Sequence, residues 1–291
     1  MADILYPPSR PQSVGEVLDT AFRIFGATLV KCLPYGALAV IVGQLPTLYD
    51  VAIGRSLLQA AVKNQHVRDP VWWLLEVVAV VGSLTLTNAL LLRQHALATG
   101  QPAATSAELA RALRLVPRML LILILVLLAT MVPIGILVAI LTAAVAGRGG
   151  SLVTMFVLVC LAFIPAGWLL LRWSSSGPVC LVTGRRAIAS MRHSWELTAG
   201  NFWRLSLIYT VAIVLIIVLY VLSGVVSGIG SLLFARGDVA VLTATTAMVV
   251  VLLGAIATPF YVALTLAVLG DLSVRKEGSD LAQRIAAPAT P

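Results

Sequence analysis

Six long apolar stretches constrain this chain more than any other feature. Each is about 20 residues or longer, and at 1.5 Å per residue a helix of that length crosses a hydrocarbon core of roughly 30 Å. With 60% hydrophobic and 11% charged residues, the composition excludes a disordered chain and an ordinary soluble enzyme. We therefore predict an all-α integral membrane protein with six transmembrane helices. The predicted spans are 29–49, 71–92, 119–146, 152–171, 205–234 and 239–269.

Five prolines fall inside these stretches. Proline removes a backbone donor and kinks a helix, but neighbouring helices in a bundle can satisfy the freed carbonyl. We therefore expect kinks and no loss of a span. The residues are Pro34, Pro46, Pro133, Pro165 and Pro259.

The distribution of positive charge predicts the orientation. With the N-terminus inside, the inner segments carry 15 lysines and arginines and the outer loops carry 5. Inner loops of membrane proteins are enriched in these residues. We expect a multi-pass protein of the bacterial cytoplasmic (inner) membrane, with both termini cytoplasmic.

The segments that lead into the first, third and fifth spans resemble one another. Ser13 and Glu16 have the spacing of a capping box, Thr105 and Glu108 repeat it, and a third helix begins near residue 185 and ends at Gly200. Each segment has the apolar periodicity of a short amphipathic helix, which we call an elbow helix. We predict three parallel repeats, each an elbow helix plus a helical hairpin. The units cover about 13–92, 105–171 and 185–269 of a single polytopic membrane domain, 1–285, followed by a disordered tail, 286–291.

The last third of the chain carries three familiar motifs. They are SGPVCLVTG at 176–184, AIASMRHSWELTAGNFWR at 187–204 and GDLSVRKEGSDL at 270–281. This combination resembles the bacterial glycerophosphoryl diester phosphodiesterase membrane-domain family, which includes stand-alone multi-pass members. His193 and Ser273 stand where relatives commonly have arginine. The resemblance implies a membrane domain found beside an enzyme in some relatives, and it implies no catalysis in the membrane part.

The sequence offers no evident catalytic site. A phosphodiesterase barrel would need about 250 residues beyond the spans. The three cysteines form no C-x-x-C pair, and the three histidines have no metal-ligand spacing. We expect no enzyme activity, no cofactor and no bound metal.

The arginine-rich elbows are the strongest candidates for binding. Each basic residue near an anionic leaflet contributes about 1 kcal/mol, so a cluster can bind lipid headgroups or a cytoplasmic protein partner. The alternative is that the arginines only fix the topology. The candidate residues are Arg185, Arg186, Arg192, Arg204, Trp195 and Trp203 in the third elbow, and Arg111, Arg114 and Arg118 in the second.

Polar residues within the spans form a second group of candidates. Glu76 lies in the second span, where an ionisable side chain indicates either function or a hydrogen-bonded structural role. Gln44 could hydrogen-bond it from the first span, and Asn88 lies farther along the same helix. In the fifth span, Gly224 and Gly228 form the G-x-x-x-G pattern of close helix packing, within the bundle or in a homo-oligomer.

At the end of the last span, Asp271 and Arg275 have the i,i+4 order that favours an ion pair on a helix. This segment is either a solvated helix end or a docking site.

We predict a membrane scaffold or lipid-interacting protein. The alternative is a transporter or lipid-translocating protein with a cavity between the repeats. The expected partners are membrane lipids, including anionic ones, and no nucleic acid is expected.

Overall fold

The structure is a computed structural model that describes residues 5–54, 69–146, 152–230 and 239–278. Nine helices and no strands occur in these ranges. They are α1 (Val14–Gly43), α2 (Leu45–Ala52), α3 (Pro70–Ala98), α4 (Thr105–Ala146), α5 (Leu152–Trp173), α6 (Ser176–Thr183), α7 (Ala187–Thr198), α8 (Phe202–Gly230) and α9 (Val239–Glu277). The predicted tail, 286–291, and all five outer-loop cations lie outside the described residues.

Five of the helices are long and apolar enough to cross a membrane. They are α1, α3, the segment Thr105–Ile140 of α4, α8, and the segment Met248–Glu277 of α9. The fourth predicted span forms the helix α5, which is not among these five. The all-helical membrane fold is therefore confirmed, whereas the count of six spans and the threefold repeat stay predictions.

The prolines act in two different ways. Pro34, Pro133, Pro165 and Pro259 lie inside continuous helices, as expected for a bundle. Pro46 instead stands in the first turn of α2, where its missing donor costs nothing. Because α1 ends at Gly43, the prediction that one helix continues to residue 49 is wrong.

The elbow helices differ from the prediction in the first two units. α1 and α4 run without interruption from the amphipathic segment into the apolar one, so neither unit has a separate elbow helix. In the third unit the elbow is the separate helix α7. Gly200, with φ +80°, takes the left-handed conformation that separates α7 from α8, as predicted.

The core is built around α9, which packs on α1. Ala263, Leu264, Leu266 and Ala267 are fully buried, so this part of α9 is enclosed on all sides. The approach is closest at Gly36, where a Cβ would lie 2.8 Å from the Ala255 carbonyl oxygen. The α4–α5 pair packs less extensively on this core, and its outer surface is apolar and exposed.

Candidate functional site

Three arginines of the third elbow are exposed. Arg185 and Arg186 precede α7, and their side chains form no ion pair among the described residues. Arg192, whose side chain is 83% exposed, pairs with Glu196 one turn later at 3.2 Å. Trp203, at the start of α8, is 82% exposed. We call Arg185, Arg186, Arg192 and Trp203 the basic face, since exposed cations and indoles are both typical of a membrane interface.

Arg204 does not belong to this face, contrary to the prediction. Its Nη2 lies 2.9 Å from Oδ2 of Asp271, a carboxylate that is almost fully buried. Arg275 contacts the same oxygen from one turn later on α9, at 3.1 Å, so the predicted i,i+4 pair is confirmed. Burial makes an unpaired carboxylate costly, which explains why two arginines converge on Asp271.

The Asp271 cluster also holds the N-terminal segment. The backbone N–H of Gln12 donates to Asp271 Oδ1 at 2.8 Å. The carbonyl of Gln12 accepts from Arg204 and from Arg275, the latter at 2.5 Å. These bonds join residues more than 190 positions apart in the chain and fix the segment that leads into α1.

The arginines of the second elbow bind backbone. Arg111 donates to the Leu181 carbonyl at 2.9 Å, and Arg118 donates to the Gly184 carbonyl at 2.9 Å. These carbonyls lie at the C-terminal end of α6, where a helix leaves its last acceptors unpaired and favours cations. Arg114 alone of the three is exposed without such a bond. Arg111 and Arg118 therefore have a structural contact while staying exposed, and the prediction that the three arginines contact lipid or a partner stays a prediction.

Arg172 is a functional candidate that the sequence analysis missed. It lies at the end of α5, with its guanidinium carbon 4.6 Å from the ring centre of Trp195 and 5.4 Å from that of Trp168. Its Nη1 donates to the Trp195 carbonyl at 3.2 Å, and its buried Nε has no hydrogen-bond partner. Among the described residues Arg172 pairs with no carboxylate. The available signal was an arginine flanked by tryptophans at the end of an apolar run.

A cavity of about 710 Å³ is lined by Trp168 and Trp173, and the Trp168 ring contacts Arg172, which does not itself line the cavity. Its walls come mainly from α4, α5 and α8, and most of the side chains are apolar. Phe163, Ile164 and Ile213 at its rim are more than half exposed, so the cavity opens onto the apolar surface. We call this cavity the cleft. A space of this size falls in the range of about 300–1,000 Å³ typical of small-molecule sites.

A few hydroxyl groups stand among the apolar walls of the cleft. Tyr209, Ser174 and Ser206 line it at the end nearest α7. The Tyr209 hydroxyl is buried and has no hydrogen-bond partner of normal geometry among the described residues. The Ser174 hydroxyl donates to the Leu171 carbonyl at 2.9 Å. The cleft is thus apolar along its length, with a polar end next to Arg172.

The segment that carries these features resembles a known family. Residues 150–284 match the membrane domain of glycerophosphoryl diester phosphodiesterase. This confirms the predicted resemblance and, with the apolar helices, establishes a multi-pass membrane protein. No curated protein and no solved structure matches the chain.

The matched membrane-domain segment contains α5 to α9. It therefore includes the basic face, Arg172 and the Asp271 cluster, whereas Arg111 and Arg118 come from outside it. The family describes the membrane domain of the phosphodiesterase, which is not its catalytic domain.

The intramembrane polar residues do not form a connected group. Glu76 is partly exposed and makes no hydrogen bond within the described residues, and no bond joins it to Gln44. Asn88 is buried and its amide nitrogen has no partner. The hydrogen bond that we expected between Gln44 and Glu76 is therefore absent from this structure.

Two other acidic residues, Asp50 and Glu108, are buried. Asp50 accepts a hydrogen bond from the Trp72 indole at 3.2 Å. Glu108 lies 3.2 Å from Arg93 and accepts a hydrogen bond from Tyr35. Because Glu108 binds these side chains of other helices, the predicted capping box with Thr105 does not form. The Ser13–Glu16 capping box does form, with nitrogen-to-oxygen distances of 2.6 and 3.3 Å.

Gly224 and Gly228 lie close to parts of the chain outside the described residues, so the predicted close helix contact is not tested here. A Cβ at either position would meet nothing within 4 Å in the described structure. Ser223 and Ser227, one residue earlier in each case, are the buried small residues of this turn. A role for the glycines in a homo-oligomer stays a prediction.

The last groups to consider are possible metal ligands and the cysteine thiols. Within the described residues no three or more His, Cys, Asp and Glu side chains group together as a metal site would require. Cys32 and Cys180 are buried, and burial raises the pKa of the Cys180 thiol, which disfavours the reactive thiolate.

Proposed function

We propose that this protein is a non-enzymatic, lipid-interacting protein of the bacterial cytoplasmic membrane, with both termini in the cytoplasm and the basic face at the inner leaflet. The observation that carries the proposal is the exposure of Arg185 and Arg186 without a carboxylate partner in the described structure. With Arg192 they make three exposed cations on the third elbow, and Trp203 at the start of α8 is exposed as well. At about 1 kcal/mol per cation, the three would favour anionic lipid by about 3 kcal/mol, or roughly 150-fold.

The test is lipid retention measured by native mass spectrometry. The protein is extracted from nanodiscs that contain equal amounts of phosphatidylglycerol and phosphatidylcholine with identical chains. We expect the wild type to be enriched in phosphatidylglycerol and a variant with Arg185, Arg186 and Arg192 all changed to Gln to lose most of that enrichment. The enrichment should also fall as salt rises, because exposed charges are screened.

A matched control separates the site from the total charge. Changing Lys31, Arg114 and Lys276 to Gln removes the same three charges from exposed positions outside the basic face. We expect this variant to keep the wild-type enrichment. Equal enrichment in both triple variants and the wild type would contradict the proposal and leave topology as the role of these arginines.

The alternative function, lipid translocation, is favoured by one observation, the cleft that opens onto the apolar surface. The close packing of α1 on α9 is less favourable to it, because it leaves no passage along that contact. Reconstitution into vesicles with a fluorescent lipid in the inner leaflet tests this alternative. Faster exposure of that lipid to an external quencher than in protein-free vesicles would support translocation.

A further inference from the structure

The cleft and Arg172 have complementary properties that point to one ligand. The cleft is apolar along most of its wall and opens onto the surface that the bilayer would cover. Water gains little in such a space, whereas a hydrocarbon chain restores the dispersion contacts that an empty space forfeits. The part of the ligand that lies inside the cleft is therefore an acyl chain.

The chemistry of the ligand's headgroup follows from the charge of Arg172 near the cleft. Trp168 and Trp173 line the cleft, and the Trp168 ring lies against Arg172. The tryptophans of this end pack together, since the ring centres of Trp168 and Trp195 are 5.3 Å apart and those of Trp173 and Trp195 are 5.8 Å apart. They hold the guanidinium in place while leaving it without an acidic partner in the described structure.

The contrast with other arginines strengthens this point. Arg93, Arg204 and Arg275 each contact a buried carboxylate. Arg172 is also partly buried, but no carboxylate of the described residues contacts it. Its Nε has no partner, as is also the case for Arg93 and Arg204. A guanidinium binds phosphate oxygens through paired donors, so a phosphate group would supply the acceptors that Arg172 lacks. The buried Tyr209 hydroxyl, next to Ser174, is a further polar group of the cleft.

We propose that the cleft binds one acyl chain of an anionic glycerophospholipid, whose phosphate is held by Arg172 and whose ester region lies near Tyr209. The inference rests on the proposed lipid-interacting function and adds a built site to it. This lipid differs from those attracted to the basic face, because its chain is enclosed by protein and its headgroup lies against a partly buried cation. It is therefore retained at salt concentrations that strip lipid from an exposed surface.

Gly167 offers a way to fill the cleft without disturbing the fold. It lines the cleft, and a Cβ at this position would meet nothing within 4 Å. Gly167→Leu therefore places a side chain in the part of the cleft that the acyl chain would occupy. Gly135→Leu is the matched control, because Gly135 lies on α4, has the same open surroundings and does not line the cleft.

The experiment counts lipids that remain after a high-salt wash of protein from the same mixed nanodiscs. We expect one phosphatidylglycerol per wild-type protein, loss of that lipid by about tenfold or more in Gly167→Leu, and retention in Gly135→Leu. Arg172→Gln should lose the preference for phosphatidylglycerol over phosphatidylcholine. The thermal transition of each variant is measured in parallel, and Gly167→Leu is expected to keep that of the wild type.

Three results would overturn the inference. Equal retention in Gly167→Leu and Gly135→Leu would exclude the cleft as the site. A salt-resistant lipid without headgroup preference would exclude a role for Arg172, and a free fatty acid in its place would exclude a glycerophospholipid as the ligand. A negative result for the proposed function can be told apart from a negative result for the cleft. The proposed function is tested by the salt-sensitive lipid enrichment that the triple variant of the basic face removes, and the cleft by the lipid that resists salt. Each variant set thus tests one site.

Discussion

One added methyl group at Gly36 should destabilise the fold, because α1 and α9 meet there with their backbones almost in contact. A Cβ would lie 2.8 Å from the Ala255 carbonyl oxygen and 3.0 Å from Cδ of Pro259. Neither atom belongs to a flexible side chain that could move away. Overpacking of this kind costs about 1–3 kcal/mol, and we expect the upper end here. Alanine recovers about 1 kcal/mol of helix propensity, which leaves a net loss of about 2 kcal/mol.

Gly26 provides the control within the same helix. A Cβ at Gly26 meets nothing within 4 Å, so Gly26→Ala should keep the gain in propensity of about 1 kcal/mol. The two variants carry the same chemical change and should differ by about 3 kcal/mol. For a chain of this size each kcal/mol shifts the melting temperature by roughly 2–4 °C, so the two midpoints should lie about 6–12 °C apart.

The chain contains its own reporters for this assay. Cys32 and Cys180 are buried and become reactive only when the protein unfolds, whereas Cys160 is exposed. In a Cys160→Ser background, a thiol-reactive fluorescent maleimide therefore follows thermal unfolding in detergent. If Gly36→Ala melted at the same temperature as Gly26→Ala, the close approach of α1 and α9 and the reasoning built on it would be refuted.

Three further predictions concern single side chains away from the contact at Gly36. Asp271→Asn should destabilise the folded protein by about 3–5 kcal/mol, because it leaves two arginines beside a neutral group. As a control in the same melting assay, Glu196→Gln removes an exposed ion pair and should change stability by less than about 0.5 kcal/mol. Burial raises the pKa of Tyr6 from 10.0 to about 12, so its contribution to stability is complete below pH 10 and is lost as the pH rises towards 12. Melting temperatures measured across that range should fall less steeply for Tyr6→Phe than for the wild type, and parallel curves would contradict this assignment. Ser13→Ala removes the cap of α1 and should cost about 1 kcal/mol, seen as a lower melting temperature, and an unchanged midpoint would indicate that the cap adds nothing.

The sequence predicted those features that depend on neighbours in the chain. The capping box of Ser13, the left-handed Gly200 and the pair of Asp271 with Arg275 all follow from spacings of four residues or fewer. The apolar runs likewise predicted the membrane fold, because length and hydropathy are local quantities. Orientation and the number of spans stay predictions, since the described residues do not test them.

The failures come from contacts between distant helices. Thr105 and Glu108 have the spacing of a capping box, but Glu108 turns to Arg93 and Tyr35, which no local rule brings near. Arg204 likewise turns to Asp271, 67 positions later in the chain. Which arginine finds a carboxylate depends on how the helices cross, and periodicity does not contain that information. Long-range pairing therefore decided which predicted site residues became structural.

Whether an arginine already has a structural partner says more about its function than the number of arginines does. A guanidinium that already pairs with a buried carboxylate or with a helix end is held in place by that contact and can offer a lipid only its remaining donors. Asp271 holds Arg204 in this way, and the end of α6 holds Arg111 and Arg118, although the last two stay exposed. Arg172 keeps an unpaired donor beside an apolar cleft, while the basic face stays exposed. The two sets would meet a lipid differently, because the exposed set is screened by salt and Arg172 is partly shielded from it. The salt dependence of lipid retention is therefore the property that separates their contributions.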